Sequence, residues 1–349
     1  MSENDQTLLP KPRLPHLDIS TGINHSPHVV ILGAGASRSC CPEGDKSGLR
    51  LPLMEDFVET VGVECIIRKS GHDPADNFEQ IYSRIHEESN TVIIEELDRA
   101  VRSYFSRLNL PEQPTLYDYF VLGLRPKDLI VTFNWDPLLP QTYKRWRHLG
   151  SVLPQLAFLH GNVDVGVDRE KTACGFMSDT SRSGFTLQPT PLLYPIEQKN
   201  YNDDPFIVEQ WCITKDHLAE AYYVTVYGYS APTTDVEAKD LLLNAWRDNP
   251  TRELAQISIV DIREPEKVKT SWSDFIVRNH CGVSRDFSRN LLMRHPRRSC
   301  EAFAFANLQQ TPWPEDPFPI ECSLDDLQIW IEPLIEEEKS GKLDGMSLH

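Results

Sequence analysis

The sequence contains no long apolar run and no excess of basic charge. No stretch of about 18 apolar residues, the length that crosses a bilayer, occurs in its 349 residues. The first residues, MSENDQTLLPKPRLPHLD, have no apolar core, so we expect a cytoplasmic protein with no secretory signal and no membrane contact. Lys and Arg number 35 against 52 Asp and Glu, a formal charge of −17, which argues against direct nucleic-acid binding.

Several catalytic and metal-binding signatures are also missing. The eight cysteines form no CxxC pair, so the sequence predicts free thiols and no zinc site or other metal. The esterase elbow GxSxG, the phosphate-binding GxxxxGK[ST] and the zinc-protease HExxH are all absent. These gaps exclude the enzyme classes that are most easily identified from short motifs.

The fold class follows from short apolar runs that alternate with helical patterns. Each run ends in glycine or polar residues, which is typical of buried parallel strands. The alternation predicts an α/β protein with a doubly wound, Rossmann-like parallel sheet. The five predicted strands lie at 29–32, 128–134, 155–161, 222–228 and 256–261.

Three regions are predicted along the chain. Residues 1–26 are polar and rich in proline and form an N-terminal arm, whereas 27–280 form the α/β domain with a helical insertion. Residues 281–349 form a helical C-terminal extension, in which an apolar stripe over 324–335 either packs on its own domain or docks a neighbouring subunit. Pro333 interrupts that stripe, so two short helices are possible there.

Candidate functional residues follow the predicted strands, where ligands bind in such sheets. Gly33, Ala34, Gly35 and Ser37 come directly after the first strand, and glycines there let backbone N–H groups approach a pyrophosphate. Arg38 occupies the sixth position of the GxGxxG fingerprint, which argues against an ordinary nicotinamide dehydrogenase. A tight turn without a ligand explains the same residues.

Polar side chains also follow the other strands. Asn134 and Asp136 end the second strand and are able to orient a sugar hydroxyl or a water, although an Asx turn explains them as well. His160 ends the third strand and has the chemistry of a general base, although a locally bonded histidine is the alternative. Later candidates for phosphate and ribose contacts are Gly228, Ser230 and Asp261.

The ordered set GAGAS, TFNWD, LHG and YGYS, with LLYPIEQKNY at 192–201, resembles the sirtuin-like family over about residues 28–280. Within that family it is similar to the prokaryotic sirtuin-like NAD-degrading effectors of antiphage defence. The resemblance implies an NAD pyrophosphate loop, a reacting ribose site, a catalytic histidine and an ADP-ribose site. The residues implied are Gly33, Ala34, Gly35 and Ser37 for the pyrophosphate, Asn134 with Asp136 for the ribose, His160 as catalyst, and Gly228, Ser230 and Asp261 for ADP-ribose.

Two departures from the sirtuin pattern bear on the reaction. Sirtuin deacylases carry a four-cysteine zinc module after the catalytic His-Gly, but only Cys174 and Cys212 occur in the equivalent stretch. Phe133 replaces the glutamine that precedes the catalytic asparagine. Both differences favour an NAD glycohydrolase that releases nicotinamide and ADP-ribose. A deacylase, an ADP-ribosyltransferase and a non-catalytic nucleotide sensor remain alternatives, and the resemblance implies a homo-oligomer or a partner such as a HerA-like ATPase.

Overall fold

Nine strands form two sheets in the computed structural model, which describes residues 25–168, 174–179, 186–194, 201–230, 236–278, 280–308 and 312–340. The predicted N-terminal arm, residues 1–26, lies almost wholly outside these described residues. The strands are β1 (His28–Leu32), β2 (Leu129–Thr132), β3 (Gln155–Phe158), β4 (Val165–Val167), β5 (Cys174–Phe176), β6 (Gln188–Pro189), β7 (Tyr223–Tyr227), β8 (Gln256–Val260) and β9 (Cys281–Ser284).

Six of these strands form one parallel sheet in the order β3-β2-β1-β7-β8-β9. All five residues of the central strand β1, HVVIL, are buried, which requires helices on both faces of the sheet. The strand order reverses between β1 and β7, so the sheet is doubly wound, as predicted. The carboxyl ends of all six strands therefore form one edge with a switch point at its centre.

Helices connect and cover the strands. Asn and Thr are typical first residues of helices, so the sequence predicts helix starts at Asn77 and Thr115, and both are formed. The Asn77 side chain accepts from the Glu79 N–H at 2.9 Å, and Thr115 forms a reciprocal capping box with Asp118. The helices of the described residues are α1 (Ala34–Cys40), α2 (Phe57–Val61), α3 (Glu64–Lys69), α4 (Phe78–Glu87), α5 (Thr91–Phe105), α6 (Leu116–Gly123), α7 (Leu138–Trp146), α8 (Pro205–Glu220), α9 (Val236–Arg247), α10 (Pro265–Ser271), α11 (Leu291–Arg294), α12 (Ser299–Leu308) and α13 (Leu324–Lys339).

Three local features differ from the sequence expectation. The sequence pattern over 51–69 predicts one helix, but two short helices form there, because Gly62 adopts φ 79° and ends α2. Residues 162–204 are rich in Gly, Ser, Thr, Asp and Pro and predict an irregular stretch, but β4, β5 and β6 within it pair as a small antiparallel sheet. The main sheet also continues beyond residue 280, because β9 pairs with β8 at its edge.

The C-terminal stripe forms one helix and packs on its own domain. Leu327, Ile331 and Ile335 on α13 are buried in the common core of the chain. The two short helices considered from the sequence are not formed, because Pro333 lies on the exposed face and the buried side chains on either side hold the axis. None of the helices in the described ranges is long and apolar enough to cross a membrane.

A buried histidine at the amino end of the sheet makes stability depend on pH. The ring nitrogens of His28 bond to Ser299 Oγ and Thr225 Oγ1, each at 2.8 Å. Burial, reinforced by the charge of Lys127, lowers the pKa of His28 to about 3. Between about pH 6.5 and pH 3, His28 is protonated in the unfolded chain but neutral in the folded chain. The free energy of unfolding therefore falls as the pH drops from about 6.5 towards 3.

We expect the melting temperature of the wild type to fall more steeply between pH 7 and pH 4.5 than that of His28→Gln. The variant is less stable at pH 7, because it loses one of the two buried hydrogen bonds, a cost of about 1 kcal/mol. Thermal unfolding across this pH range measures both effects. The exposed His86 provides the control: His86→Gln keeps the wild-type slope, and an equally steep slope in His28→Gln contradicts the prediction.

Candidate functional site

Two glycine-containing loops interlock at the switch point of the sheet. The N–H of Gly33 donates to Tyr227 O and the N–H of Gly35 donates to Gly228 O, each at 3.0 Å. A Cβ on Gly35 would lie 2.8 Å from Gly228 Cα, and Gly228 itself has φ +62°. The glycines after β1 and β7 thus permit a backbone-to-backbone contact that no larger residue allows. Pyrophosphate binding by this loop stays a prediction, and the exposed Ala34 is its most accessible residue.

A buried polar network joins the loops after β1 and β2 to helix α6. Ser37 Oγ donates to Asp136 Oδ2 at 2.5 Å and lies 2.7 Å from the Tyr117 hydroxyl. Asn134 Nδ2 donates to Ser37 Oγ and to Gly33 O, both at 2.8 Å, and lies 3.2 Å from the Tyr117 hydroxyl. Three of the residues predicted from the sequence are therefore brought into direct contact through Ser37.

The protons in this network have one consistent arrangement. Ser37 has a single hydroxyl proton, and its short bond to Asp136 uses that proton. Tyr117 therefore donates its own proton to Ser37 Oγ. Burial raises the pKa of the Asp136 carboxyl, while the bond from Ser37 opposes that rise. Burial, together with the nearby Asp136 charge, also raises the pKa of Tyr117 well above its usual value, so its hydroxyl stays a donor.

This network sets the orientation of the Asn134 side chain. Its Nδ2 group is fully engaged with Gly33, Ser37 and Tyr117. Its Oδ1 atom accepts no hydrogen bond from the described residues. It is also not one of the fully buried polar atoms that lack a partner, so it remains accessible. The carbonyl oxygen of Asn134 is therefore the atom available to a ligand at this edge. Ser37 and Asp136 hold that orientation, whereas their own contact with a ligand stays a prediction.

His160 follows β3, the strand next to β2, and lies in an aromatic environment. Its Nε2 is 2.9 Å from the Tyr201 hydroxyl, and the two rings are stacked with centroids 5.8 Å apart. The Phe133 ring contacts His160 edge-on at 4.8 Å and stacks in parallel on Tyr229 at 4.2 Å. Phe133 therefore provides an apolar wall between the histidine and the loop after β7.

The segment that follows His160 is held by close backbone contacts. Gly161 has φ +74°, and a Cβ there would lie 1.8 Å from Pro191 O, so only glycine is accommodated. Asn162 Nδ2 donates to Asp136 O at 2.7 Å and to Asn134 O at 3.2 Å, which ties the loops after β2 and β3 together. The Asn134 loop is thus bound from both neighbouring strands.

Three residues of this site were not among those predicted from the sequence. Tyr117 has no local signal, because it reaches the site only through the packing of α6. Asn162 stands two positions after His160 in HGN, and a polar residue there is a signal that sequence reasoning could have used. Tyr201 closes the LLYPIEQKNY segment that carried part of the family resemblance.

The last candidates lie further along the same edge. Ser230 is exposed in the loop after β7. Asp261 is buried directly after β8, but its carboxylate is occupied by the Arg263 guanidinium.

Among the described residues, no group of three or more His, Cys, Asp or Glu side chains is placed to hold a metal ion. Cys174 is half-buried on β5 and Cys212 is exposed on α8.

We expect Asn134→Ala to lower stability as well as any activity. The variant loses the donor to Gly33 O and Ser37 Oγ, so a buried carbonyl is left with one partner fewer. We expect the free energy of unfolding to fall by about 2 kcal/mol. Urea unfolding measures this. Asn134→Asp is the comparison: it also removes the amide donors but keeps an oxygen acceptor, so its stability falls as well. An unchanged unfolding midpoint in both variants contradicts the network described.

Comparison with known proteins gives distant structural similarities. No family model matches the chain, and no curated protein matches it. A structure from work on the mechanism and regulation of Sir2 enzymes matches with 15% identity and a TM-score of 0.39, covering 83% of this chain and 96% of that one. The crystal structure of a Sir2 homolog–NAD complex matches with 14% identity and a TM-score of 0.37, covering 83% and 95%. The fold assignment here is based on the strand order itself.

Proposed function

We propose that this protein is an NAD glycohydrolase that produces nicotinamide and ADP-ribose. The observation that carries the proposal is the orientation of Asn134 beside His160, which follows the neighbouring strand β3. The amide nitrogen is engaged by the protein, so Oδ1 is the side-chain atom of Asn134 left for a ligand. The sequence resemblance to sirtuin-like NAD-degrading effectors supports the same assignment.

The reaction requires little general-acid catalysis from the protein. The bond between ribose C1′ and the nicotinamide nitrogen breaks heterolytically, and the electron pair leaves with nicotinamide as a neutral ring. A water oxygen then forms the new bond to C1′, and one proton is released. The site must therefore hold the ribose, orient a water and stabilise a cationic sugar. The Asn134 carbonyl oxygen suits both the ribose hydroxyl and the water.

His160 is the residue suited to accept the proton. Its ring is held by Tyr201 on one side and Phe133 on the other, so a single orientation is maintained. A histidine has a reference pKa of about 6.5, near working pH, and serves either a ribose hydroxyl or the attacking water. Ser37, Asp136 and Tyr117 act through Asn134 as positioning residues.

The apolar wall at Phe133 supports hydrolysis over peptide deacylation. Phe133 stands where deacylases carry a glutamine, and its ring is packed between His160 and Tyr229 rather than exposed. Phe133 offers no side-chain hydrogen bond to an acyl group or a peptide. We extend the proposal to the biological role that the resemblance implies: NAD depletion in antiphage defence, with a homo-oligomer or a HerA-like ATPase partner as the assembly.

The test is the release of nicotinamide from NAD by the purified full-length chain. We expect nicotinamide and ADP-ribose in equal amounts, with no dependence on an added acyl-lysine peptide. Chromatography of the products separates hydrolysis from cyclisation and from transfer to protein. Because a free NADase depletes its own cell, the assay is also run with the protein encoded by the neighbouring gene.

Two results would overturn the proposal. Nicotinamide release that requires the acyl peptide identifies a deacylase. Binding of NAD without turnover, alone and with the neighbouring gene product, identifies a nucleotide-sensing module. Light scattering of the same sample gives the subunit number, and a monomer in all conditions contradicts the oligomeric part of the proposal.

A further inference from the structure

Asp261 and Arg263 form a salt bridge at the carboxyl end of β8. Arg263 Nε donates to both carboxylate oxygens of Asp261 at 3.0 Å, and Arg263 Nη2 donates to Oδ2 at 2.7 Å. The backbone N–H of Arg263 also donates to Asp261 Oδ1 at 2.8 Å. The Asp261 side chain is 7% exposed, whereas that of Arg263 is 33% exposed. The carboxylate is therefore neutralised, and the guanidinium forms the accessible face of the pair.

The remaining donors of Arg263 face the loop after β7. Nη2 lies 3.5 Å from the carbonyl oxygen of Ser230, and Nη1 makes no hydrogen bond within the described part of the chain. The neighbouring charges also cancel, because Glu264 pairs with Arg285. The edge after β8 is therefore close to neutral, with one guanidinium group turned outward.

If the proposed function holds, the Asp261–Arg263 pair lies beside the adenosine end of the bound dinucleotide. Asn134 follows β2, and the sheet order places β8 three strands away across the switch point. At about 4.8 Å per strand this is about 14 Å, a span that an extended dinucleotide covers. With its reacting ribose at Asn134, the adenosine ribose lies at the β8 end.

The charge at that end decides which adenosine ribose is accepted. A free carboxylate accepts a hydrogen bond from the 2′-hydroxyl and repels a 2′-phosphate, whereas an arginine accommodates the phosphate. Here the carboxylate is already paired, and the arginine keeps donors to spare. We propose that the Asp261–Arg263 pair makes this site tolerant of a phosphate on the adenosine ribose, so that NADP-type as well as NAD-type dinucleotides are bound. This inference rests on the proposed function.

The test compares binding of ADP-ribose and 2′-phospho-ADP-ribose to the full-length protein by calorimetry. We expect the two Kd values of the wild type to lie within about tenfold of each other. Arg263→Gln leaves the Asp261 charge unpaired, so the 2′-phosphorylated compound loses at least about tenfold relative to ADP-ribose. Asp261→Asn frees the guanidinium and shifts the ratio by about the same factor in the opposite direction.

Control variants separate charge from folding. Arg263→Lys retains the positive charge and keeps the Kd ratio near that of the wild type. Arg278→Gln removes an exposed arginine before β9, at the amino end of the sheet, whose partner is Glu253, and it leaves the ratio unchanged. A wild type that binds ADP-ribose but excludes the 2′-phosphorylated compound more than 100-fold overturns the inference alone. The same conclusion follows if Arg263→Gln and Asp261→Asn both keep the wild-type ratio. Failure of the wild type to bind either compound overturns the proposed function and this inference together.

Discussion

His160→Gln releases nicotinamide from NAD at least about 10³-fold more slowly than the wild type, within the range expected for the loss of a general base. Glutamine still offers a hydrogen-bond partner to the Tyr201 hydroxyl, but it accepts no proton at neutral pH. The fold therefore persists while the chemical step is lost. His160→Ala shows the same loss of activity with a further loss of stability, because it leaves a cavity beside Phe133.

The measurement is the initial rate of nicotinamide release at saturating NAD, with far-ultraviolet circular dichroism to verify folding. Tyr201→Phe keeps the stacked ring but removes the hydroxyl, and we expect a smaller loss together with a displaced pH profile. The matched control is His148→Gln, which replaces an exposed histidine whose hydrogen-bond partners are Arg145 O and Gln328, and it keeps the wild-type rate. A folded His160→Gln protein with near-wild-type turnover would mean that this histidine has no catalytic role.

Glu338→Gln lowers the free energy of unfolding by about 3 kcal/mol, the typical cost of removing one partner of a buried ion pair. Glu338, near the end of α13, binds the fully buried guanidinium of Arg297 at 2.6 Å and that of Arg298 at 2.6 Å. Arg297 also donates to the carbonyl oxygens of Leu122 and Leu124 at the end of α6. Removing the carboxylate charge leaves the buried Arg297 without a carboxylate partner among the described residues and leaves Arg298 with Glu337 alone.

Urea unfolding with an unchanged m-value measures this effect. Glu337→Gln is the matched control, because Glu337 is 43% exposed and its single bond to Arg298 is worth at most about 1 kcal/mol. Equal effects of the two substitutions would contradict a special role for Glu338. Deletion of residues 323–349 is expected to destabilise the fold more severely than either substitution, because it also uncovers the core that Leu327, Ile331 and Ile335 fill.

The expected fold class depended on signals that are local in the chain. The runs HVVIL and LIVT are short, β-branched and bounded by turn residues, so their burial and their ends were predictable. The edge strand β9, CGVS, has only one strongly apolar residue, and all four residues are half-buried. Its pairing depends on β8 being in place beside it, which no local pattern encodes.

The candidate site divides in the same way. Asn134 and His160 were identified because the carboxyl ends of parallel strands share one edge. The role of Tyr117 was not predictable, because its hydroxyl meets Ser37 and Asn134, which follow two strands about 100 residues apart in the chain. The glycines of GAGAS were predicted to admit a ligand, yet the N–H of Gly33 bonds to the last residue of β7 and that of Gly35 to Gly228 in the loop after it.

By itself, the sequence determined the alternation of strands and helices, the capped helix starts and the line of polar residues along one edge. These properties depend on burial and backbone preference within a few neighbouring residues. The tertiary structure alone decided which atoms remain free at that edge: the Asn134 carbonyl oxygen rather than its amide, and the Arg263 guanidinium rather than the Asp261 carboxylate. The physical reason is that the Asn134 amide is satisfied by Gly33, Ser37 and Tyr117, which only the assembled sheet brings to it, whereas Asp261 is satisfied by Arg263 two residues along its own loop.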